Sequence, residues 1–419
     1  MFNKKISRRN FIKGALASGI MLGGGLIIGC GENSSTSGTL KLKFLRQIIT
    51  KDSTSSRCIM WQSDSPLTAP TVFIDVDGDL KNFPAQDATF NDDGMDFIQY
   101  VAQVDGLKPN SEYTFKIVDG DKSTGNFTLR TFDENKFKGI IFTDSQSADY
   151  STWESVAQSA FEKNPDANFF INLGDIVDNG EDHYQWETWM TRVEKQLQTM
   201  PFAPVMGNHE CYSRDWQERF PVSYLNLFAV PDNGDETFNR RYYSFDFGAA
   251  HFAVLDSQWI ELDAFQPGVL DAELYWLVDD LKATKKTWKI VCVHRDVLQY
   301  KINGRDDWLE GISEVGVNFM PEFDALNVDA VFTGHLHTYR NRGHIKNFED
   351  NASGPLYILC GLSGDVRYNG LWANHKLDKF VAPQPETDNY LTLEGDDKTL
   401  TIKCFLPDGT AIDEVKLSK

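Results

Sequence analysis

Two kinds of hydrophobic patterning divide the chain. From residue 39 to 131, apolar and polar positions alternate over short runs such as Ser56-Arg57-Cys58-Ile59-Met60-Trp61-Gln62 and Glu112-Tyr113-Thr114-Phe115-Lys116-Ile117. Asp77-Gly78 and Lys108-Pro109-Asn110 interrupt them. Period-two alternation punctuated by turn residues predicts half-buried strands, hence an all-β sandwich. From residue 132 to 419 the pattern becomes apolar strand, loop, helix, strand. Gly139-Ile140-Ile141-Phe142-Thr143, Ala167-Asn168-Phe169-Phe170-Ile171-Asn172-Leu173, Lys289-Ile290-Val291-Cys292-Val293 and Asp329-Ala330-Val331-Phe332-Thr333 are short apolar runs. Such runs predict strands covered on both faces, the mark of an α/β region. Trp186 and Trp189 have helical spacing and are expected in the core, and residues 390–393 and 399–405 flank a Gly395-Asp396-Asp397 turn as a closing hairpin.

Each continuous run leads into a polar motif. The motifs are Asp144-Ser145-Gln146, Gly174-Asp175, Val293-His294 and Gly334-His335-Leu336-His337, with Gly207-Asn208-His209-Glu210 between them in the chain. Strand ends are the usual place for a site in an α/β sheet. The motifs supply only oxygen and imidazole nitrogen, a donor set suited to two neighbouring divalent or Fe/Mn/Zn-type cations. A carboxylate between two cations can give one oxygen to each, which makes Asp175 the natural bridge. Asp144 and Gln146, like His335 and His337, are two residues apart and point to one side of an extended segment.

The order Asp-x-(His or Gln), Gly-Asp, Gly-Asn-His-(Glu or Asp), His, Gly-His-x-His resembles the calcineurin-like metallophosphoesterase superfamily, and the surrounding sequence most resembles its purple acid phosphatase branch. Residues 104–113 resemble the fibronectin type III-like domain that precedes the catalytic domain in the plant-type enzymes. The resemblance implies a fibronectin III-like sandwich over 39–131 and, over 132–419, a phosphoesterase domain of two facing mixed sheets flanked by helices. It implies Asp144, Gln146 and His337 around one metal, Asn208, His294 and His335 around the other, and Asp175 between them. It further implies hydrolysis of phosphomonoesters by a hydroxide bridging the metals, with His209 as general acid. An ordinary histidine pKa of ~6.5 suits that task.

One departure alters the expected metals. Purple enzymes carry Gly-Asp-x-x-Tyr, whose tyrosinate on ferric iron gives the colour, whereas here the segment reads Gly174-Asp175-Ile176-Val177-Asp178. Gln146 also offers a neutral amide. Less anionic charge favours two divalent ions, Mn, Fe or Zn, and a colourless protein.

The N-terminus changes the picture of location. Ser7-Arg8-Arg9-Asn10-Phe11-Ile12-Lys13 is a twin-arginine signal pattern, followed by a glycine-rich apolar run over 14–29 that is short for a membrane span. Ile27-Ile28-Gly29-Cys30 resembles a lipobox, so residues 1–29 are expected to be removed, Cys30 lipidated, and 30–38 to form a tether. The product is expected outside the cytoplasm, membrane-anchored only through that lipid. Removing 1–29 takes five basic residues and no acid from a formal charge of −20, leaving −25. Such a surface disfavours nucleic acid and anionic membranes; a small phosphorylated substrate is the expected partner. At 419 residues, with 41% hydrophobic and 13% aromatic residues, the chain can fill two domains. Cys58, Cys292, Cys360 and Cys404 lie in apolar runs and Cys211 follows the Gly-Asn-His-Glu loop, so buried free thiols are expected.

Other polar residues are less decided. Glu210 and Asp178 are either acceptors that orient a ligand histidine or solvated caps. Arg295 and Tyr339, close after ligand positions, are either substrate contacts or structural. His251 in its alternating stretch reads as structural, and His183, His344 and His375 as loop residues. Two other activities compete with the phosphomonoesterase: a phosphodiesterase acting on nucleotides or lipids, and a surface binding protein with a degenerate phosphatase domain.

Overall fold

The computed structural model describes residues 38–383 and 387–419. The expected signal segment, Cys30 and the tether up to Ser37 lie outside the described residues.

Alternation produces the first layer. In strand Glu112–Asp119, Tyr113, Phe115 and Ile117 are buried while Glu112, Thr114 and Lys116 face water, as a period of two dictates. This strand pairs with Thr71–Val76 and Phe127–Arg130, and Asp79–Pro84 completes the main ladder. Their apolar face packs on Ile59, Trp61 and Ala102 of a second layer.

That second layer does not stop at the sandwich. Strands Lys43–Ile48, Arg57–Gln62 and Gln99–Val104 belong to a ten-stranded sheet that continues through Pro201–Pro204, Phe169–Asn172 and Phe137–Phe142 to the C-terminal strands. The junction is parallel, with Pro201 opposite Gln47 and Phe202 opposite Ile48. Strand Arg57–Gln62 is consequently buried along its whole length, although alternation predicts one wet face. Ile59 and Trp61 enter the sandwich core, while Cys58 and Met60 enter the core of the C-terminal half. Arg57, fully buried, donates to the Arg130 carbonyl at 2.7 Å and lies over the Phe132 ring.

The second large sheet holds Tyr243–Phe247, Ala250–Leu255, Trp288–Val293, Ala330–Thr333, Leu356–Cys360 and Tyr339–Lys346. Both large sheets mix parallel and antiparallel pairs. Between them Phe169 meets Phe245, Phe247 and Phe252. Helices Ser151–Lys163 and His183–Arg192 cover the first sheet through Trp153 and Trp189, whose rings stack at 5.3 Å. Helices Val269–Ala283 and Glu314–Ala325 cover the second with Leu277, Leu281, Phe319 and Phe323. All five described cysteines are free and buried. Residues 390–395 and 399–405 pair as a hairpin.

The parallel pairs position the site. Phe137–Phe142, Phe169–Asn172 and Pro201–Pro204 run side by side, as do Trp288–Val293 and Ala330–Thr333. Their C-terminal ends therefore emerge at one edge of each sheet.

Candidate metal centre

Five loops leave those strand ends and turn their donors inward. Asp175, His294 and His335 form one cluster and Asp144, Asp175 and His337 another, each with its donor atoms within 4.8 Å of one another. Asp175 is common to both. Asn208 Oδ1 lies 3.2 Å from His294 Nε2, and the Gln146 amide lies 3.4 Å from His337 Nε2. All seven residues expected as ligands are thus gathered around one point.

Close approach explains the glycines of the motifs. A Cβ on Gly207 would lie 2.2 Å from Asp175 Oδ1, and one on Gly174 would lie 2.6 Å from His294 Nδ1. Gly174 also has a φ of +101°, open to glycine alone at little cost. Asp144, Asp175, His335 and His337 themselves occupy the left-handed region, with φ between 49° and 78°. Non-glycine residues persist there only where surrounding contacts over-determine them.

Backbone acceptors set the histidine tautomers. His294 Nδ1 donates to the Leu173 carbonyl at 2.8 Å and His337 Nδ1 to that of Val366 at 2.6 Å. With Nδ1 so engaged, each ring turns its Nε2 to the centre, His294 Nε2 lying 3.1 Å from Asp175 Oδ2 and His337 Nε2 3.3 Å from Asp144 Oδ1. Burial, followed by the charges of His294 and Arg295, holds His335 well below the usual histidine range, keeping it neutral. Burial works against the Asp175 carboxylate, but His294 and His209 outweigh it and hold Asp175 far below the usual range.

Glu210 is the unexpected organiser. It is fully buried and accepts the amides of Asp175 at 2.9 Å, Ile176 at 2.9 Å, Val177 at 3.3 Å and Gly207 at 2.7 Å. It ties the Gly174-Asp175 loop to the Gly207-Asn208 loop through backbone rather than by orienting a histidine.

His209 stands at the rim. Its amide donates to Asp175 Oδ1 at 2.9 Å, its Nδ1 donates to the Asp178 carbonyl at 2.8 Å, and its Nε2 faces the centre 3.8 Å from Asp175 Oδ2. Burial opposes protonation of the ring, yet the Asp175 carboxylate, the Asp178 carbonyl and the Asp178 carboxylate together hold it above the usual histidine range. Asp178 sits where a purple enzyme has tyrosine, and burial raises its carboxyl.

Three aromatic residues that sequence reading passed over also reach the site. Tyr368 lies over His337 with ring centres 4.6 Å apart, and burial with the nearby Asp175, Asp144 and Asp178 carboxylates pushes its phenol up to about 12. Tyr212 and Trp216 meet His209 edge-on, each at 5.8 Å. Irregular loops carry all three, with no periodicity to mark them.

The remaining candidates lie elsewhere or are already engaged. Arg295 is bound to Glu261 and Gln258. Tyr339 is buried and donates to Asp413 at 2.8 Å, a structural contact between strands and not a substrate contact. His251 lies between Asp246 and Asp280, at 2.7 Å from each. His183 pairs with Asp93 at the start of a helix, His344 lies in a strand and donates to Gly354, and His375 meets the Gly311 carbonyl. A third acidic cluster, Asp93, Asp182 and His183, is already filled by the Arg214 guanidinium.

The comparisons with known proteins agree with this architecture. The Calcineurin-like phosphoesterase family matches residues 137–339, and the Purple acid Phosphatase, N-terminal domain family matches residues 45–133. The chain is 28% identical over 290 residues to "Probable purple acid phosphatase 20" of Arabidopsis thaliana, covering 67% of this chain and 62% of that protein. It is 30% identical over 198 residues to "Phosphoenolpyruvate phosphatase" of Allium cepa, covering 43% and 39%. The chain thus spans less than two thirds of the length of these curated relatives. Its fold resembles purple acid phosphatase PPD1 from yellow lupin (Lupinus luteus) seeds, with a TM-score of 0.73, 18% identity and coverage of 90% and 74%. A second solved structure, PhoD, aligns with a TM-score of 0.61, 12% identity and coverage of 93% and 90%. The chain therefore joins a calcineurin-like metallophosphoesterase domain to a purple acid phosphatase N-terminal domain.

Proposed function

We propose that the protein is a metal-dependent phosphoesterase that hydrolyses phosphomonoesters. The observation that carries this reading is the convergence from five loops of two donor clusters that share Asp175, with Gln146 beside His337 and Asn208 beside His294. The donor set fits cations on its own terms: Gln146 Oε1 and His335 Nδ1 are buried without a hydrogen-bond partner. Buried polar atoms left unpaired cost ~1–3 kcal/mol each, so a missing partner is to be expected there. Asp144, Gln146 and His337 would hold one ion, Asn208, His294 and His335 the other, with Asp175 between them. Two such ions, when bound, supply an activated water and neutralise charge on the phosphoryl oxygens.

The chain's own residues do the rest. His209, its Nδ1 committed to the Asp178 carbonyl, holds a proton at Nε2 and gives it to the departing ester oxygen. Glu210 keeps the Asp175 and Asn208 loops in register. With Asp178 in place of tyrosine and a neutral Gln146, the centre takes two divalent ions of Mn, Fe or Zn and is colourless, unlike a relative such as "Fe(3+)-Zn(2+) purple acid phosphatase 12" of Arabidopsis thaliana. The Arg8-Arg9 signal pattern and Cys30 support export by the twin-arginine route and anchorage outside the cytoplasm through lipid.

Elemental analysis of the purified protein, combined with a panel containing a nitrophenyl monoester and the corresponding bis-ester, tests this reading. Bound divalent metal, monoester turnover above diester turnover, and loss of turnover in a folded Asn208→Ala variant are expected. A metal-free, inactive protein would return the chain to a binding role, and a dominant diesterase activity would change the substrate class.

A further inference from the structure

A hairpin of the N-terminal sandwich, Phe90–Asp92 and Met95–Phe97, reaches into the phosphoesterase half. Phe90 and Phe97 stack at 4.6 Å within the core that the two halves share. The hairpin tip carries two aspartates. Asp92, buried, accepts from both terminal nitrogens of Arg219 and from Ser223 Oγ at 2.7 Å. Asp93 accepts from Arg214 at 2.6 Å and from His183 Nδ1 at 2.7 Å.

Arg214 and Arg219 belong to one loop, residues 211–219. Its base is closed by the Tyr212–Glu218 bridge and by the Arg219 amide donating to the Cys211 carbonyl at 2.8 Å. At its turn stands Trp216, with φ of 58° and 54% of its surface exposed, its ring perpendicular to that of His209. A bulky residue in the left-handed region is strained, and an exposed indole recovers little of that strain. The two arginine clamps hold a conformation that the loop alone does not favour.

Charge around the site narrows what can lie against that ring. Arg214 is bound to Asp93 and Asp182, Arg295 to Glu261, and Arg367, beside Tyr368, to Asp388. Each of these arginines is already matched by a carboxylate, and Asp178 and Asp365 add further acid. A second anionic group on a substrate would meet carboxylates and no unmatched one of these cations.

We propose that Trp216 is a specificity-determining platform for a flat, uncharged leaving group, and that the sandwich hairpin positions it through Asp92 and Asp93; this rests on phosphoester hydrolysis at the site proposed above. The leaving oxygen takes its proton from His209 Nε2, so a planar group attached to that oxygen comes against the adjacent indole. Stacking there is worth about a tenfold preference.

The test compares phenyl phosphate with glycerol phosphate on the full-length, metal-loaded enzyme, in wild type, Trp216→Ala, Trp216→Phe and Asp93→Asn. Trp216→Ala should lower the phenyl-to-glyceryl ratio of kcat/KM about tenfold, chiefly through KM, with Trp216→Phe restoring much of it. Asp93→Asn should lower the ratio in the same sense, with unchanged metal content and faster amide exchange over 211–219. Phenylphosphonate, but not methylphosphonate, should quench the tryptophan fluorescence, and Trp216→Phe should abolish that quenching. An unchanged ratio or persistent quenching without Trp216 overturns the platform. An unchanged ratio in Asp93→Asn overturns the role of the hairpin. A wild type that turns over neither ester refutes the proposed activity, while the quenching experiment still decides on the platform.

Discussion

Glu210 lies beneath Asp175 and accepts its backbone amide at 2.9 Å, while the same carboxylate takes the Gly207 amide at 2.7 Å. A residue that touches no candidate metal position thus holds together the two loops on which the centre depends. Glu210→Ala leaves these amides and that of Ile176 without acceptors, at ~1–3 kcal/mol for each buried donor. The variant should melt well below wild type and bind metal ~10–100-fold more weakly, as removal of an orienting partner does elsewhere. Thermal unfolding with and without added metal measures both effects. A variant matching wild type in both would show that the loops hold themselves.

Asp175 belongs to both donor clusters, whereas His337 belongs to one. Asp175→Asn should therefore strip both ions, and His337→Asn should remove one preferentially. Metal-to-protein ratios after dialysis distinguish the two outcomes. Equal stoichiometry in the two variants would contradict a shared bridge.

His209 is placed to donate a proton without gripping an ion. His209→Ala should keep the metal content and lower kcat on alkyl phosphates by ~10²–10⁴, the usual range for a lost acid. The loss should be much smaller on nitrophenyl phosphate, whose leaving group departs without help. A uniform loss across leaving groups would assign the residue to phosphate binding instead.

His251 offers a stability switch far from the chemistry. Burial disfavours its charged form, but bonds to Asp246 and Asp280 dominate and raise it to about 9. A histidine raised above its unfolded value of ~6.5 contributes stability that is complete below that pH and fades as pH climbs through the folded value. The melting-temperature gap between wild type and His251→Gln should therefore be widest near pH 6 and shrink towards pH 9.5. A gap independent of pH would mean that the ring acts by packing alone.

The candidate site was largely readable because its donors follow apolar strands directly. Asp144, Asp175, His294 and His335 each stand within three residues of a buried strand, and parallel neighbours deliver such ends to a common edge. Arg57 shows the limit of that logic: alternation places a charged side chain in water, but a second covering layer removes the water. Tyr339, two residues beyond His337, turns back into the sheet and meets Asp413, so closeness along the chain misleads. Trp216 and Tyr368 could not be found by pattern. Trp216 owes its place to partners far away in sequence, above all Asp93, which is 121 positions from Arg214.

The short parallel pairing of Pro201 and Phe202 with Gln47 and Ile48 laminates the two halves of the protein into a single plate. The seam offers no joint about which one half could swing against the other. Access to the centre then cannot depend on one half swinging from the other, and heat should melt sandwich and phosphoesterase together rather than in turn.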